Sequence, residues 1–145
     1  MIKVAYLISL YDKERITYLA QAINSIKGQN LDKTIDLRIY LGLDGQINDS
    51  LMNLIEAHRS SFFKIVSSEE NIGLGAMLNL LLKNLEDEQF IFRFDTDDIC
   101  LADRTEKQLR YLLSNPSCLA LGASMEEVNE HGQNVGYKYA RSKNR

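Results

Sequence analysis

Short apolar runs alternate with helix-period segments along nearly the whole chain, and this alternation restricts the fold more than any single motif. Residues 4–10 form a continuous apolar run, as suits a strand covered on both faces. Asp12 is placed to cap a helix carrying Ile16, Leu19, Ala20, Ile23 and Ile26, with Gly28 as its stop. Residues 35–43 make a second strand, ending at the turn signal Asp44-Gly45. Asn48 or Asp49 caps a helix bearing Leu51, Leu54 and Ile55, and residues 62–66 give a third strand. The run Asn71-Ile72-Gly73-Leu74-Gly75 opens a helix over 76–85, whose leucines predict substantial burial. Phe90, Ile91, Phe92 and Phe94 read as a buried strand. A D-x-x-E box from Asp103 to Glu106 starts a helix with Leu109, Leu112 and Leu113 inward, stopped by Asn115-Pro116. Residues 118–123 read as another buried strand, and 127–139 as a hairpin around Glu130-His131-Gly132. The fold this implies is α/β: a mostly parallel sheet flanked by helices, with a C-terminal β-hairpin.

Length and charge narrow the function. A chain of 145 residues suits one domain, residues 1–145, with a core that needs no staple. A net charge of −3 argues against a nucleic-acid binder relying on a broad basic surface. Cys100 and Cys118 lack metal-ligand spacing and read as reduced thiols in a cytoplasmic protein. Met1-Ile2-Lys3 leads straight into a strand without signal-peptide character, and no apolar run reaches the ~20 residues of a spanning helix. Lys138, Arg141, Lys143 and Arg145 form a basic tail that reads either as a solvated end or as a point where a longer chain was cut, and that could attract anionic lipid weakly.

The chemistry concentrates in Phe92-Arg93-Phe94-Asp95-Thr96-Asp97-Asp98-Ile99. Three carboxylates so close raise one another's pKa unless a cation or donors offset them. A divalent metal with oxygen ligands is the simplest offset; a plain acidic strand-to-helix turn is the alternative. In a parallel sheet, ligands bind outside the carboxyl ends of the strands. Ser9-Leu10-Tyr11, Asp44-Gly45 and residues 95–98 should therefore share one rim. A nucleoside diphosphate would suit it. Asp44 could accept from a base N–H or merely start its turn, and Tyr11 could stack on the base or simply pack. Mg2+ or Mn2+ would bridge carboxylates and diphosphate and stabilise a departing diphosphate. His58 and His131 read as surface residues.

These stretches resemble the N-terminal part of a family-two glycosyltransferase with the Rossmann-like GT-A fold, of the kind that assembles bacterial exopolysaccharide, capsule or O-antigen. Residues 4–12 with Ser25-Ile26-Lys27-Gly28-Gln29 are similar to its opening strand and "S-I-x-x-Q" helix end. Leu41-Gly42-Leu43-Asp44-Gly45 resembles "V-x-D-G", and the run from Asn71 to Asn79 resembles "N-x-G-L-x-x-x-L-N". The most specific likeness is Arg93-Phe94-Asp95-Thr96-Asp97-Asp98-Ile99 with Asp103-Arg104 and Glu106-Lys107-Gln108-Leu109. The resemblance implies that Ser9, Tyr11 and Asp44 meet the uracil or ribose of a UDP-sugar. Asn71 and Asn79 would line the nucleotide side, and residues 95–98 would be a D-x-D signature. Asp95 then meets the ribose, Asp97 holds the metal (Mn2+ or Mg2+), and Asp98 is its rival. The family transfers sugar with inversion to a saccharide or lipid-linked acceptor, using a carboxylate base.

The likeness departs at Ser9-Leu10-Tyr11-Asp12, where the family often shows "P-x-Y-N". Family members are also longer, and Glu126, Glu127 and Glu130 match the base by no motif. The chain therefore reads as a donor-binding part, with the base expected beyond residue 145. Two other readings stand beside it. One is a phosphatase or phosphotransferase in which Asp95 attacks and Asp97 acts as acid, although Ile99 departs from that pattern. The other is a non-catalytic nucleotide-binding module.

Overall fold

Strands and helices alternate as expected through the first four strands. In the computed structural model, which describes residues 1–140, the elements are β1 (Ile2–Leu10), α1 (Ile16–Lys27), β2 (Ile35–Asp44), α2 (Asp49–Ala57), a short 3-10 turn (Arg59–Ser61), β3 (Lys64–Ser68), α3 (Leu74–Leu82), β4 (Phe90–Phe94), α4 (Arg104–Ser114), β5 (Met125–Val128) and β6 (Asn134–Lys138). They fall into two compact units, Met1–Lys107 and Gln108–Arg145.

The first unit holds a four-stranded sheet in the order β3-β2-β1-β4, every pairing parallel. Ala5 and Leu7 of β1, with Tyr40 of β2, pack against Met77 and Leu81 of α3 on one face. Gly42 allows that approach, since a Cβ there would stand 2.5 Å from Met77 Sδ. On the other face Val4, Tyr6, Ile8 and Leu10 are fully buried. Helix α1 buries Leu19, Ala22, Ile23 and Ile26, and Ile26 lines a crevice with Leu37 and Ile39 of β2. Each such side chain taken from water contributes roughly 1.5–3 kcal/mol. The continuous apolarity of β1 thus reflects cover on both sides, as its sequence implies.

Several boundaries differ from the sequence reading. Helix α1 opens at Arg15 without a side-chain cap; Asp12 instead accepts a 2.7 Å bond from the Asn48 amide. Asn48 does cap α2, accepting from Leu51 N at 3.0 Å. Strand β3 begins two residues later than expected, because Phe62 ends the 3-10 turn and Phe63 lies against Tyr40 and Arg38. Helix α3 buries only Met77 and Leu81, leaving Leu74 and Leu82 exposed, so it is less covered than its leucines suggest. Strand β4 alternates, with Phe92 and Phe94 buried and Ile91 and Arg93 exposed, as befits an edge position. Residues 118–123 form no strand, and Leu119 is 97% exposed. Apolar composition there finds no ladder partner, and Ala and Gly favour strands poorly.

The second unit carries the expected hairpin, β5 against β6, with an irregularity at Glu127/Val128. The Asn129 side chain closes its turn by accepting from His131 N and Gln133 N. Lys138 pairs with Glu127. The other basic-tail residues, Arg141, Lys143 and Arg145, lie outside the described residues. Among the described residues no helix is long and apolar enough to cross a membrane.

Candidate functional site

Because the four strands are parallel, their C-terminal ends open on one rim. The register pairs Ser9 with Gly42, Leu10 with Leu43 and Ile8 with Phe94. Tyr11 and Asp44 therefore leave the sheet at one level, while Asp95, just past Phe94, leaves level with Ser9. The structure thus brings Ser9, Tyr11, Asp44 and the 95–98 segment to a common edge, as the sequence demanded.

Asp44 is buried at 4% exposure. Its Oδ1 accepts from the Ile72 amide at 2.7 Å and its Oδ2 from the Gly73 amide at 3.0 Å. Asn71 Nδ2 reaches the Asp44 carbonyl at 3.4 Å. The two bonds to the carboxylate are charge-assisted and fix residues 72 and 73 against the end of β2. Gly45 is needed beside it: its φ is +86°, and a Cβ would stand 2.9 Å from the Asn71 amide nitrogen. The Gly73 and Gly75 positions face open space, where an added Cβ meets nothing within 4 Å. Asp44 therefore does more than start a turn. Its two oxygens hold the Ile72 and Gly73 amides next to Asn71, the residue that the family resemblance expects on the nucleotide side.

The loop after β1 is tied to both neighbouring loops, through residues that the sequence reading did not single out for this role. Asp12 accepts from Asn48 N at 2.7 Å, and Asn48 Nδ2 donates to the Asp12 carbonyl at 3.0 Å. Glu14 accepts a hydrogen bond from the buried Thr96 hydroxyl, inside the acidic segment. Tyr11 itself is about half exposed, with its ring available. No spacing rule pairs Glu14 with Thr96, since β2, β3 and β4 lie between them in the chain.

Among the acids, Asp95 is engaged by Arg93, whose Nη2 lies 2.8 and 3.0 Å from its two oxygens. A turn follows, with Asp98 N donating to the Asp95 carbonyl at 3.2 Å. Asp97 and Asp98 are exposed. Partial desolvation pushes the Asp98 carboxyl above its ordinary range, helped by the Asp97 and Asp95 charges and opposed by Arg104 and Arg93. A cation would relieve that cost. Among the described residues no three His, Cys, Asp or Glu side chains converge on one metal position. One or two carboxylates completed by water and phosphate oxygens is nonetheless the coordination that Mg2+ and Mn2+ favour, so the donor set fits in kind. Asn79 stands apart. It is exposed on α3, six residues past Gly73 and so about 9 Å along the helix axis. Its position is half a turn from the buried Met77 and Leu81, so it faces away from the sheet.

Comparison with known proteins agrees with this geometry. The family model described as "Glycosyl transferase family 2" matches residues 7–143. The amylovoran biosynthesis glycosyltransferase AmsE of Erwinia amylovora is 38% identical over 128 residues, covering 88% of this chain and 47% of that protein. The putative glycosyltransferase EpsE of Bacillus subtilis is 29% identical over 133 residues, covering 90% and 45%. The chain thus spans about half the length of the relatives it matches. Among solved structures, S. aureus TarS 1–349 in complex with UDP-GlcNAc superposes with a TM-score of 0.67 at 21% identity, over 79% of this chain and 32% of that one. The Pyrobaculum calidifontis mannosyltransferase PcManGT, in complex with GDP-Man and Mn2+, does so with a TM-score of 0.62 at 17% identity, over 88% and 35%. These likenesses show the GT-A fold. A rim of parallel strand ends bearing an aspartate-rich turn, together with a family match over nearly the whole sequence, makes this chain a member of glycosyl transferase family 2.

Proposed function

We propose that this chain is the donor-binding part of an inverting glycosyltransferase that takes a sugar from a nucleoside diphosphate, UDP being the favoured nucleotide. The observation that carries the reading is the shared rim, where Asp44 with its 71–73 loop and the 95–98 acids flank the ends of β1 and β2. Tyr11 offers an exposed ring to the base, and Asp44, Asn71 and Ser9 supply polar contacts to base and ribose. Asp95 meets the ribose, and Asp97, with Asp98 as its rival, would hold Mn2+ or Mg2+ against the diphosphate. The ion would stabilise negative charge on the departing diphosphate. The TarS complexes with UDP and UDP-GlcNAc support the donor class. AmsE, named for amylovoran biosynthesis, supports a role in bacterial surface polysaccharide, with a saccharide or lipid-linked acceptor.

The family's base has no counterpart by motif in this chain. Glu126 and Glu127 are engaged within the hairpin by Asn134 and Lys138. The chain should bind donor without transferring sugar efficiently. Calorimetry with UDP and GDP, with and without Mn2+, tests the reading. Metal-dependent UDP binding is expected; absence of binding to either nucleotide would sink it.

A further inference from the structure

We propose that Tyr6, Thr105 and Gln29 are positioning residues for the acidic segment: a buried hydrogen-bonded clamp that fixes where the chain re-enters the fold after Asp98. The proposal rests on the reading of Asp97 and Asp98 as cation ligands.

Tyr6 brackets the segment from both ends. Its ring stacks on Phe92 (5.0 Å between centroids, 13° between planes) and meets Phe94 edge-on at 5.8 Å, gripping the strand that leads into the acids. Its hydroxyl lies 2.8 Å from Thr105 Oγ1 and 3.4 Å from Cys100 Sγ, gripping the chain beyond them. Thr105 Oγ1 lies 2.6 Å from Gln29 Oε1, which also accepts from Thr105 N at 3.0 Å. Gln29 Nε2 donates to the Leu101 carbonyl at 2.7 Å. The sense of the chain follows from the inventory of donors. Gln29 Oε1 can only accept, so the Thr105 hydroxyl gives its single hydrogen there, and Tyr6 must donate to Thr105. Burial, then the contact with Cys100, raises the Tyr6 pKa and keeps the phenol protonated for that task. Ser25 Oγ accepts from Cys100 N at 2.9 Å, and Asn30 N donates to the Ala102 carbonyl at 2.7 Å. Tyr6 and Thr105 are fully buried, and Cys100 and Gln29 nearly so.

The end of α1 therefore holds backbone groups of residues 100, 101, 102 and 105, while the carboxylates of 97 and 98 stand outside. Repulsion among those carboxylates would otherwise spread the segment. A cation requires its oxygen ligands placed to within about 0.5 Å, and a loop already ordered spares the cost of ordering on binding. Loosening the clamp should weaken the cation and leave the base side, organised by Asp44, alone.

The test compares Thr105→Val, nearly isosteric but without the hydroxyl, with Thr105→Ser, which keeps it. Free Mn2+ is titrated by electron paramagnetic resonance with UDP present, and amide exchange is followed by NMR. Thr105→Val should weaken Mn2+ binding about tenfold and speed exchange at Cys100 and Thr105; Thr105→Ser should stay within about twofold of the parent, and metal-free UDP affinity should not move. Should Thr105→Val fail to fold, Tyr6→Phe keeps the ring stacking, removes the hydroxyl and makes the same demand. Parent-like Mn2+ binding and exchange in the hydroxyl-free variant overturns the clamp. So does a serine variant as weak as the valine one, because volume would then be the cause. If the parent takes up no Mn2+ with UDP, the cation reading fails instead, and exchange at Cys100 and Thr105 still decides the clamp.

Discussion

The Asp44 carboxylate and the Gly73 amide are joined across two strand-end loops at 3.0 Å, with the Ile72 amide on the other oxygen at 2.7 Å. A carboxylate retains lone pairs beyond those two bonds, so holding the loop and meeting a base N–H are compatible. Replacing one oxygen by an NH2 group turns an acceptor toward a donor. Asp44→Asn should cost about 1.5–3 kcal/mol of stability, speed exchange of the Ile72 and Gly73 amides, and lower UDP affinity about tenfold. Thermal unfolding with NMR exchange and calorimetry measures all three. An unchanged exchange rate at Gly73 would refute the bond's structural role.

The acids give a separable outcome. Asp97→Ala should abolish the Mn2+ enhancement of UDP binding while leaving metal-free affinity within about twofold, because on the proposed reading its contribution passes through the cation. Asp95→Ala should also release Arg93, its partner at 2.8 Å. That exposed pair contributes little to stability, so Tm should barely change.

A pH response comes from the far end of the sheet. The Glu88 side chain is shielded from solvent and accepts from Tyr40 Oη at 2.6 Å and Arg38 Nη1 at 2.7 Å. Burial opposes its ionisation, but those bonds outweigh burial and hold its pKa down from 4.5 to about 2. A depressed carboxyl contributes stability above its unfolded pKa and loses it as pH falls through the folded value. The contribution, at most about 3 kcal/mol, should vanish between roughly pH 4.5 and 2. Denaturant unfolding across that range should show the loss in the parent, and Glu88→Gln should flatten it.

Packing under α3 gives a fourth expectation. Gly42→Ala pushes a methyl to 2.5 Å from Met77 Sδ and 3.3 Å from Leu81 Cδ1. It should destabilise by about 1–3 kcal/mol, and a smaller side chain at Met77 in the same protein should recover part of the loss. Equal Tm for parent and Gly42→Ala would contradict the close approach.

Residue patterns foretold the rim but not what binds it together. The runs at 4–10 and 35–43 are long and apolar enough to declare β1 and β2, and Asp44-Gly45 marks the end of one by turn chemistry. Strand β3 (Lys64–Ser68) is less legible in the sequence. Ser67 and Ser68 join the ladder through backbone pairing with Leu43 and Asp44, which side-chain polarity does not report. Residues 118–123 erred the other way, with apolar composition but no neighbour to pair with. In the site, Asp12 looked like a helix cap because local offsets suggest it; its bond to Asn48 is tertiary. Gln29 lay inside a motif that the sequence singled out, yet its partner Thr105 is separated from it by three strands of chain, beyond any local rule.

Among the described residues strand β4 pairs with β1 alone, and the peptide groups on its other edge, directly beneath Asp95, have no strand partner. Any segment that hydrogen-bonds along that edge would brace the pedestal from which the aspartates project. On the proposed reading of those aspartates, completing the sheet and stiffening the place where the ion would sit would be one event, and loss of such a neighbour would show first as weaker diphosphate binding.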